Sequence, residues 1–238
     1  MFNIPATVKF NGTLTLGAGA LTPPIGMAMW LKADSLGMGD GDTITTWPDQ
    51  SGNGFDVFQS TADNRPIFKL GIRNGLPVVR FDGVDDLLAN DAVLNPFPDP
   101  ASWTIAVAYS TADTTGGRRV VGCNANTLVG PYSGKYQVYD GGFTDGPNVV
   151  PGDWVVQIGV HTNGSGASQF LNGELAGSPT AGTQHTGDGI GIGAAFATGE
   201  FCTCDVGDVL IYPSALNTAN RQALEDYLGA KYSITITH

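Results

Sequence analysis

The stretch Trp47–Leu88, WPDQSGNGFDVFQSTADNRPIFKLGIRNGLPVVRFDGVDDLL, brings turns, short β-prone runs and acidic side chains closer together than any other part of the chain. Asp49, Ser51, Gly52, Asn53 and Gly54 form a tight polar turn, because Asp and Asn bond to nearby backbone and Gly accepts positive φ. The Asn74-Gly75 dipeptide predicts a hairpin turn, and the apolar run Leu76–Phe81 after it predicts a buried strand. Asp82-Gly83 with Asp85 and Asp86 then closes a second acidic turn. Strands and turns at this pitch predict an all-β domain, and they suit a binding surface better than a reaction centre.

On either side of this stretch the pattern continues. Before it, MAMWLKAD from Met27 reads as a strand that buries Met27, Met29 and Leu31 or, on its other face, Trp30. ITTW, ending at Trp47, reads as a short β-branched strand. After it, WTIAVAYS from Trp103 alternates so that one face is core, and WVVQIGVH from Trp154 is the clearest central strand of the second half. Runs at 118–122, 136–139, 168–171, 190–192 and 206–212 add further strands. Asn217 or Thr218 caps a short amphipathic C-terminal helix carrying Ala223, Leu224, Tyr227 and Leu228, with Gly229 near its stop. Residues 1–26, with β-prone pieces followed by GAGALTPPIG, read as an N-terminal β arm, and 27–238 as one sandwich domain.

Composition narrows the function. The chain has 238 residues, 34 Gly, 14 Pro and a charged fraction of 14%, which suits many short strands joined by turns. Its net charge of −11, with only 11 Lys and Arg, argues against phosphate-backbone binding to nucleic acid and disfavours an anionic membrane. Of the 22 acids, 19 are Asp and 3 are Glu, and Asp serves both turns and oxygen-rich cation sites. The start, MFNIPATVKFNG, has no basic region followed by an apolar run, so no leader peptide is expected. No apolar run is long enough to span a membrane. Cys123, Cys202 and Cys204 are an odd set, and a Cys-x-Cys spacing on one strand face is poor for a bridge, so buried free thiols from a reducing cytoplasm are expected.

Five motifs in order, AMWLKADSL, GDTITTWPDQSGNGFDV, NGLPVVRFDGVDDLL, FLNGELAG and GDVLIYPSALNTANRQALEDYLGAKY, resemble the concanavalin A-like lectin/glucanase superfamily, in particular its laminin G-like jelly-roll domains. The resemblance covers Met27–Tyr232 and implies two curved antiparallel sheets packed as a jelly-roll sandwich, commonly with a carbohydrate- or protein-binding role. One fold hosts lectins, hydrolases and structural modules, so it implies no single function. Some relatives hold a structural calcium ion between an early acidic turn and the start of the last strand. Carried over, that site takes Asp49 or Asp56, Asp208 and the carbonyls of Gly52 and Gly54. The alternative reading makes Asp49 an Asx-turn and Asp208 a strand cap. Asp82, Asp85 and Asp86 are candidates to bind a cation or sugar hydroxyls, or else form a solvated turn. Tyr132, Tyr136 and Tyr139 are the candidate stacking rings, since periodicity buries Trp103 and Trp154.

No catalytic arrangement is legible. Glycosidases need two carboxylates flanking the scissile bond, and the glucanase pattern of carboxylates along one strand face is absent. Glu174, Glu200 and Glu225 stand alone, and His161, His185 and His238 have no zinc or triad spacing. Asn163-Gly-Ser-Gly-Ala is a hairpin loop with no strand-to-helix elbow, and Gly189-Ile-Gly-Ile-Gly leads into no helix. The expectation is a non-enzymatic virion structural, decoration or adhesion protein of a bacteriophage. Its partners would be capsid or tail proteins, further copies in a trimer, and glycans. A bacterial lectin-like module, surface-bound or secreted, is the alternative, and a glycan hydrolase or lyase stands third.

Overall fold

The structure, a computed structural model, describes residues 21–90, 102–123, 126–180, 189–196 and 199–238. Most of the proposed arm and His185 therefore lie outside the described residues. The first half of the chain forms β1 (Met29–Lys32), β2 (Thr46–Trp47), β3 (Val57–Phe58), β4 (Ile67–Arg73), β5 (Leu76–Asp82) and β6 (Leu88–Asn90). The second half forms β7 (Trp103–Thr111), β8 (Val121–Cys123), β9 (Leu128–Tyr132), β10 (Lys135–Tyr139), β11 (Trp154–Thr162), β12 (Gly166–Leu171), β13 (Glu174–Thr180), β14 (Ile190–Ile192) and β15 (Thr203–Tyr212). A single helix, α1 (Thr218–Tyr232), follows among the described residues. The Asn-Gly dipeptides at 74–75 and 172–173 turn with positive φ at both residues, 52° and 73° at Asn74-Gly75 and 50° and 92° at Asn172-Gly173, so β4–β5 and β12–β13 are hairpins.

The described strands make two antiparallel sheets. Sheet A has the order β13-β12-β11-β7-β15-β5-β4, with β1 also beside β15, and sheet B has the order β10-β9-β8-β14-β6-β3-β2. Neighbours distant in sequence, such as β7 with β15, are what a jelly-roll connection produces. β15 divides its second edge between two partners: Thr203–Val206 pairs with β5 and Asp208–Ile211 pairs with β1. Its register against β7 shifts between Val206 and Asp208, at Gly207.

Between the sheets lies the main core, with Trp47, Phe68, Phe81, Trp103, Tyr109, Leu31 and Ile105 fully buried. A second cluster lies on the outer side of sheet A, where Ala106, Ala108, Val156, Ile158 and Leu210 pack beneath Leu224, Tyr227, Leu228 and Tyr232 of α1. This second layer explains why β7, expected to be core on one face, is buried along all nine residues. It also relocates Trp154, which is half-buried on the outer side and stacked on Tyr232 at 5.6 Å.

Asn217 caps α1 as predicted, its side-chain oxygen accepting from the Asn220 amide at 2.9 Å. The helix stops later than predicted. Gly229 lies inside it, where a Cβ would come within 2.4 Å of Ile236, and Ser233 ends it in the left-handed conformation. Ala223 faces solvent and does not contribute to the apolar stripe. Cys123, Cys202 and Cys204 are buried and unbridged, as expected, and burial pushes the Cys123 thiol up to about 12. His161 is buried and paired with Asp140 under a stacked Trp103, a structural placement between the sheets.

Candidate functional site: a cleft on the open half of sheet A

Helix α1 covers only part of the outer face of sheet A. On the remainder, strand register lines up Ile67 of β4, Arg80 of β5, Asp205 of β15, Ser110 of β7 and Trp154 of β11 as one cross-strand row. The next row toward the sheet's end pairs Asp82 with Thr203. From Ile67 to Ser110, with Asp82 and Thr203, these rows floor a cleft of about 570 Å³, whose wall is completed by Asp63, Arg65 and Asp86, while Trp154 lies outside it against Tyr232.

Chemistry in the cleft is polar and mostly acidic. Arg80 grips Asp205 through Nε and Nη2 at 2.7 and 2.8 Å, a bidentate pair that holds the guanidinium above its ordinary pKa. Arg65 donates to the Gln59 and Ser60 carbonyls at 2.9 and 2.8 Å. In the acidic turn, Asp82 accepts the Val84 amide at 2.8 Å, while Asp86 accepts the Asp82 amide at 2.9 Å. Gly83 holds φ of 77° there and lies so close to Thr203 that a Cβ would fall 2.2 Å from its hydroxyl. The turn is thereby pressed against the floor, and carboxylate oxygens of Asp82, Asp85 and Asp86 converge within 4.8 Å of one another. Burial, followed by the charges of Asp82 and Asp85, pushes Asp86 up to about 6 against the bond from the Asp82 amide. Ser110 lies on the floor about nine-tenths buried, and no described group hydrogen-bonds to its hydroxyl.

A family model for concanavalin A-like lectin/glucanases, of the laminin G-like type, matches residues 91–220. The chain belongs to the concanavalin A-like lectin/glucanases superfamily. A search of curated proteins returns no match. Solved structures share the fold of this lectin/glucanase domain at low identity. A sialidase of Trypanosoma rangeli in complex with 2,3-difluorosialic acid aligns with a TM-score of 0.60 at 15% identity, over 96% of this chain and 36% of that one. The binding domain of Paraclostridial Mosquitocidal Protein 1 aligns with a TM-score of 0.59 at 14% identity, over 87% and 52%. The binding domain of botulinum neurotoxin serotype D aligns with a TM-score of 0.55 at 11% identity, over 84% and 50%. The lectin/glucanase domain thus spans about a third of the sialidase and half of each toxin domain, and the likeness is one of fold.

The calcium position expected from the superfamily does not fit the donors present. Asp208 is fully buried, and its oxygens accept from Lys231 Nζ at 2.8 and 3.0 Å, Tyr232 Oη at 2.7 Å, and Tyr227 Oη and Trp30 Nε1 at 3.3 Å each. An ammonium and three neutral donors occupy the place of a cation. Asp49 is spent as well: it accepts the amides of Trp30, Ser51 and Phe55 and the Ser51 hydroxyl, while Asp56 accepts the Asp49 amide. Gly52 and Gly54 are exposed turn residues with φ of 89° and 80°. Strand β1 runs between the two acids, bridged to Asp49 at Leu31 and paired with β15 at Asp208, so they do not share one site. The expected ligand set is therefore corrected to an Asx-type turn and a strand-to-helix anchor.

The tyrosines also separate from the acidic turn, for none of the three lines the cleft. Tyr136, expected as an exposed ring, is core: it is 2% exposed and packs edge-on against Tyr109, because alternation on β10 turns it inward with Val138. Tyr132 and Tyr139 are half-buried and share contact with Phe143, at 4.6 and 4.8 Å between centroids. The cleft's Arg80–Asp205 pair and Ser110 were missed by sequence reasoning. Each is a lone polar residue at an outward position of an apolar strand, and only strand register brings them side by side.

Proposed function

We propose that this chain is a non-catalytic glycan-binding module whose ligand lies in the cleft on the open half of sheet A. The observation carrying this reading is Ser110, a mostly buried residue on the cleft floor whose hydroxyl has no partner among the described residues, beside carboxylates that accept sugar hydroxyls in pairs. Superfamily membership supports a sugar ligand, and the fold shared with two toxin binding domains supports a binding role. The carboxylate geometry favours binding over hydrolysis. Asp82, Asp85 and Asp86 come off one turn and do not flank a bond, and Asp205 is held by Arg80. A glycan array tests the reading: wild type gives signal, and Ser110→Trp, which fills the cleft, loses it at an unchanged melting temperature. Signal that survives in Ser110→Trp contradicts it, as does product release from a polysaccharide that Asp86→Asn abolishes.

For its setting we propose a bacteriophage particle, as a decoration, tail-associated or adhesion component, with the bacterial surface or the secreted milieu as the alternative. What supports this is the use of similar jelly rolls in phage particles. Mass spectrometry of purified particles tests it, and absence from them refutes it. Self-association through the arm, residues 1–26, with a trimer expected, is tested by sedimentation of the full chain against a deletion of residues 1–25; equal mass refutes it.

A further inference from the structure

The charges of the cleft do not cancel. Of its two guanidinium groups, Arg80 is engaged by Asp205 and Arg65 by backbone carbonyls. No described Lys or Arg forms an ion pair with Asp82, Asp85 or Asp86, whose oxygens nevertheless converge within 4.8 Å. Like charges held this close favour an external cation, and burial of Asp86 strengthens that demand because water screens it less. The Ser110 hydroxyl opens onto the same floor with no partner among the described residues, so a neutral hydrogen-bonding group of a ligand can take it in place of water. A ligand meeting both demands has hydroxyls on one part and positive charge on another.

We propose that the glycan taken by this cleft carries a free ammonium group, as a de-N-acetylated hexosamine does, with the ammonium against Asp82 and Asp86 and a sugar hydroxyl on Ser110. This rests on the reading of the cleft as a glycan site. A bare divalent cation uses the acidic turn but leaves Ser110 unpartnered. A uronic or sialic acid brings a carboxylate to a wall that is already acidic.

Calorimetry on the full chain tests the proposal with three disaccharides: di-glucosamine, its N-acetylated form and di-galacturonic acid. Di-glucosamine binds at least about tenfold tighter than the N-acetylated form, the gain of a charge-assisted contact, and di-galacturonic acid does not bind. Asp82 is exposed, so Asp82→Asn keeps the fold and brings the first two affinities together. Asp145→Asn, an exposed acid outside the cleft, leaves their ratio intact and separates local from overall charge. Equal affinities in wild type, or a ratio that survives Asp82→Asn, overturn the ammonium assignment while the cleft stands as a neutral-sugar site, provided Ser110→Trp still abolishes binding. Failure of all three sugars, with calcium chloride alone giving heat that Asp82→Asn removes, overturns both readings.

Discussion

The outer face of sheet A holds two groups of carboxylates with opposite circumstances. Under α1, Asp208 is fully buried and saturated by Lys231, Tyr227, Tyr232 and Trp30. Burial, together with the Asp208 charge, keeps the Tyr227 and Tyr232 hydroxyls protonated as donors. In the open half, Asp82, Asp85 and Asp86 converge with no ion pair to a described Lys or Arg, and one of them is driven up to about 6. The difference teaches that acidic density alone does not mark a site: where the fold supplies the counter-charge the acid is an anchor, and where it does not the acid remains available to a ligand.

Substitutions should separate the two halves sharply. Asp208→Ala leaves the Lys231 ammonium with Asp34 alone and strands the Tyr227 and Tyr232 hydroxyls, and is expected to cost about 3 kcal/mol in urea unfolding, whereas Asp82→Asn stays within about 0.5 kcal/mol. Equal costs would erase the comparison. Gly207→Ala places a methyl 2.3 Å from the Tyr232 ring, and is expected to cost about 2 kcal/mol and to alter the near-ultraviolet signal of the Trp154–Tyr232 stack.

In the open half the sign reverses. Folded Asp86 holds its proton up to about 6 against an ordinary value of 3.8, so between those values the folded state binds more protons than the unfolded one. This group's contribution to stability therefore falls as pH rises from about 4 to about 6, by roughly 1 kcal/mol after allowing for solvent screening. Asp86→Asn should accordingly stabilise the protein by about that much near neutral pH and not at about pH 4; a pH-independent difference would contradict the cause assigned. The smallest expected effect is that of calcium at the Asp208 and Asp49 positions. Because both acids are already satisfied, melting temperatures with calcium chloride and with EDTA should coincide once Asp82→Asn has removed the acidic turn as a cation site.

Much of the fold was legible because it rests on local signals. The Asn-Gly turns, the alternation in β7 and β11 and the Asn217 cap are each written within a few residues. The helix end was not, because Ser233 takes a positive φ while Gly229 serves a packing contact with Ile236. At the site, the acidic turn Asp82–Asp86 was legible as a turn. Its position beside Ser110 and Asp205 was not, since register joins strands more than a hundred residues apart. Asp208 was misassigned for the same reason: its partners Trp30 and Lys231 come from β1 and α1, and nothing around it in sequence announces them.

The most direct test of the account is an isotope-labelled titration with a glycan that gives array signal, followed through backbone amide shifts. The account predicts that the shifting amides are those of Ser110, Thr203, Asp205 and the turn from Asp82 to Asp86, while Asp208 and Tyr232 stay in place. Shifts centred on Tyr132, Phe143 and Tyr139, or spread beneath α1, would contradict it.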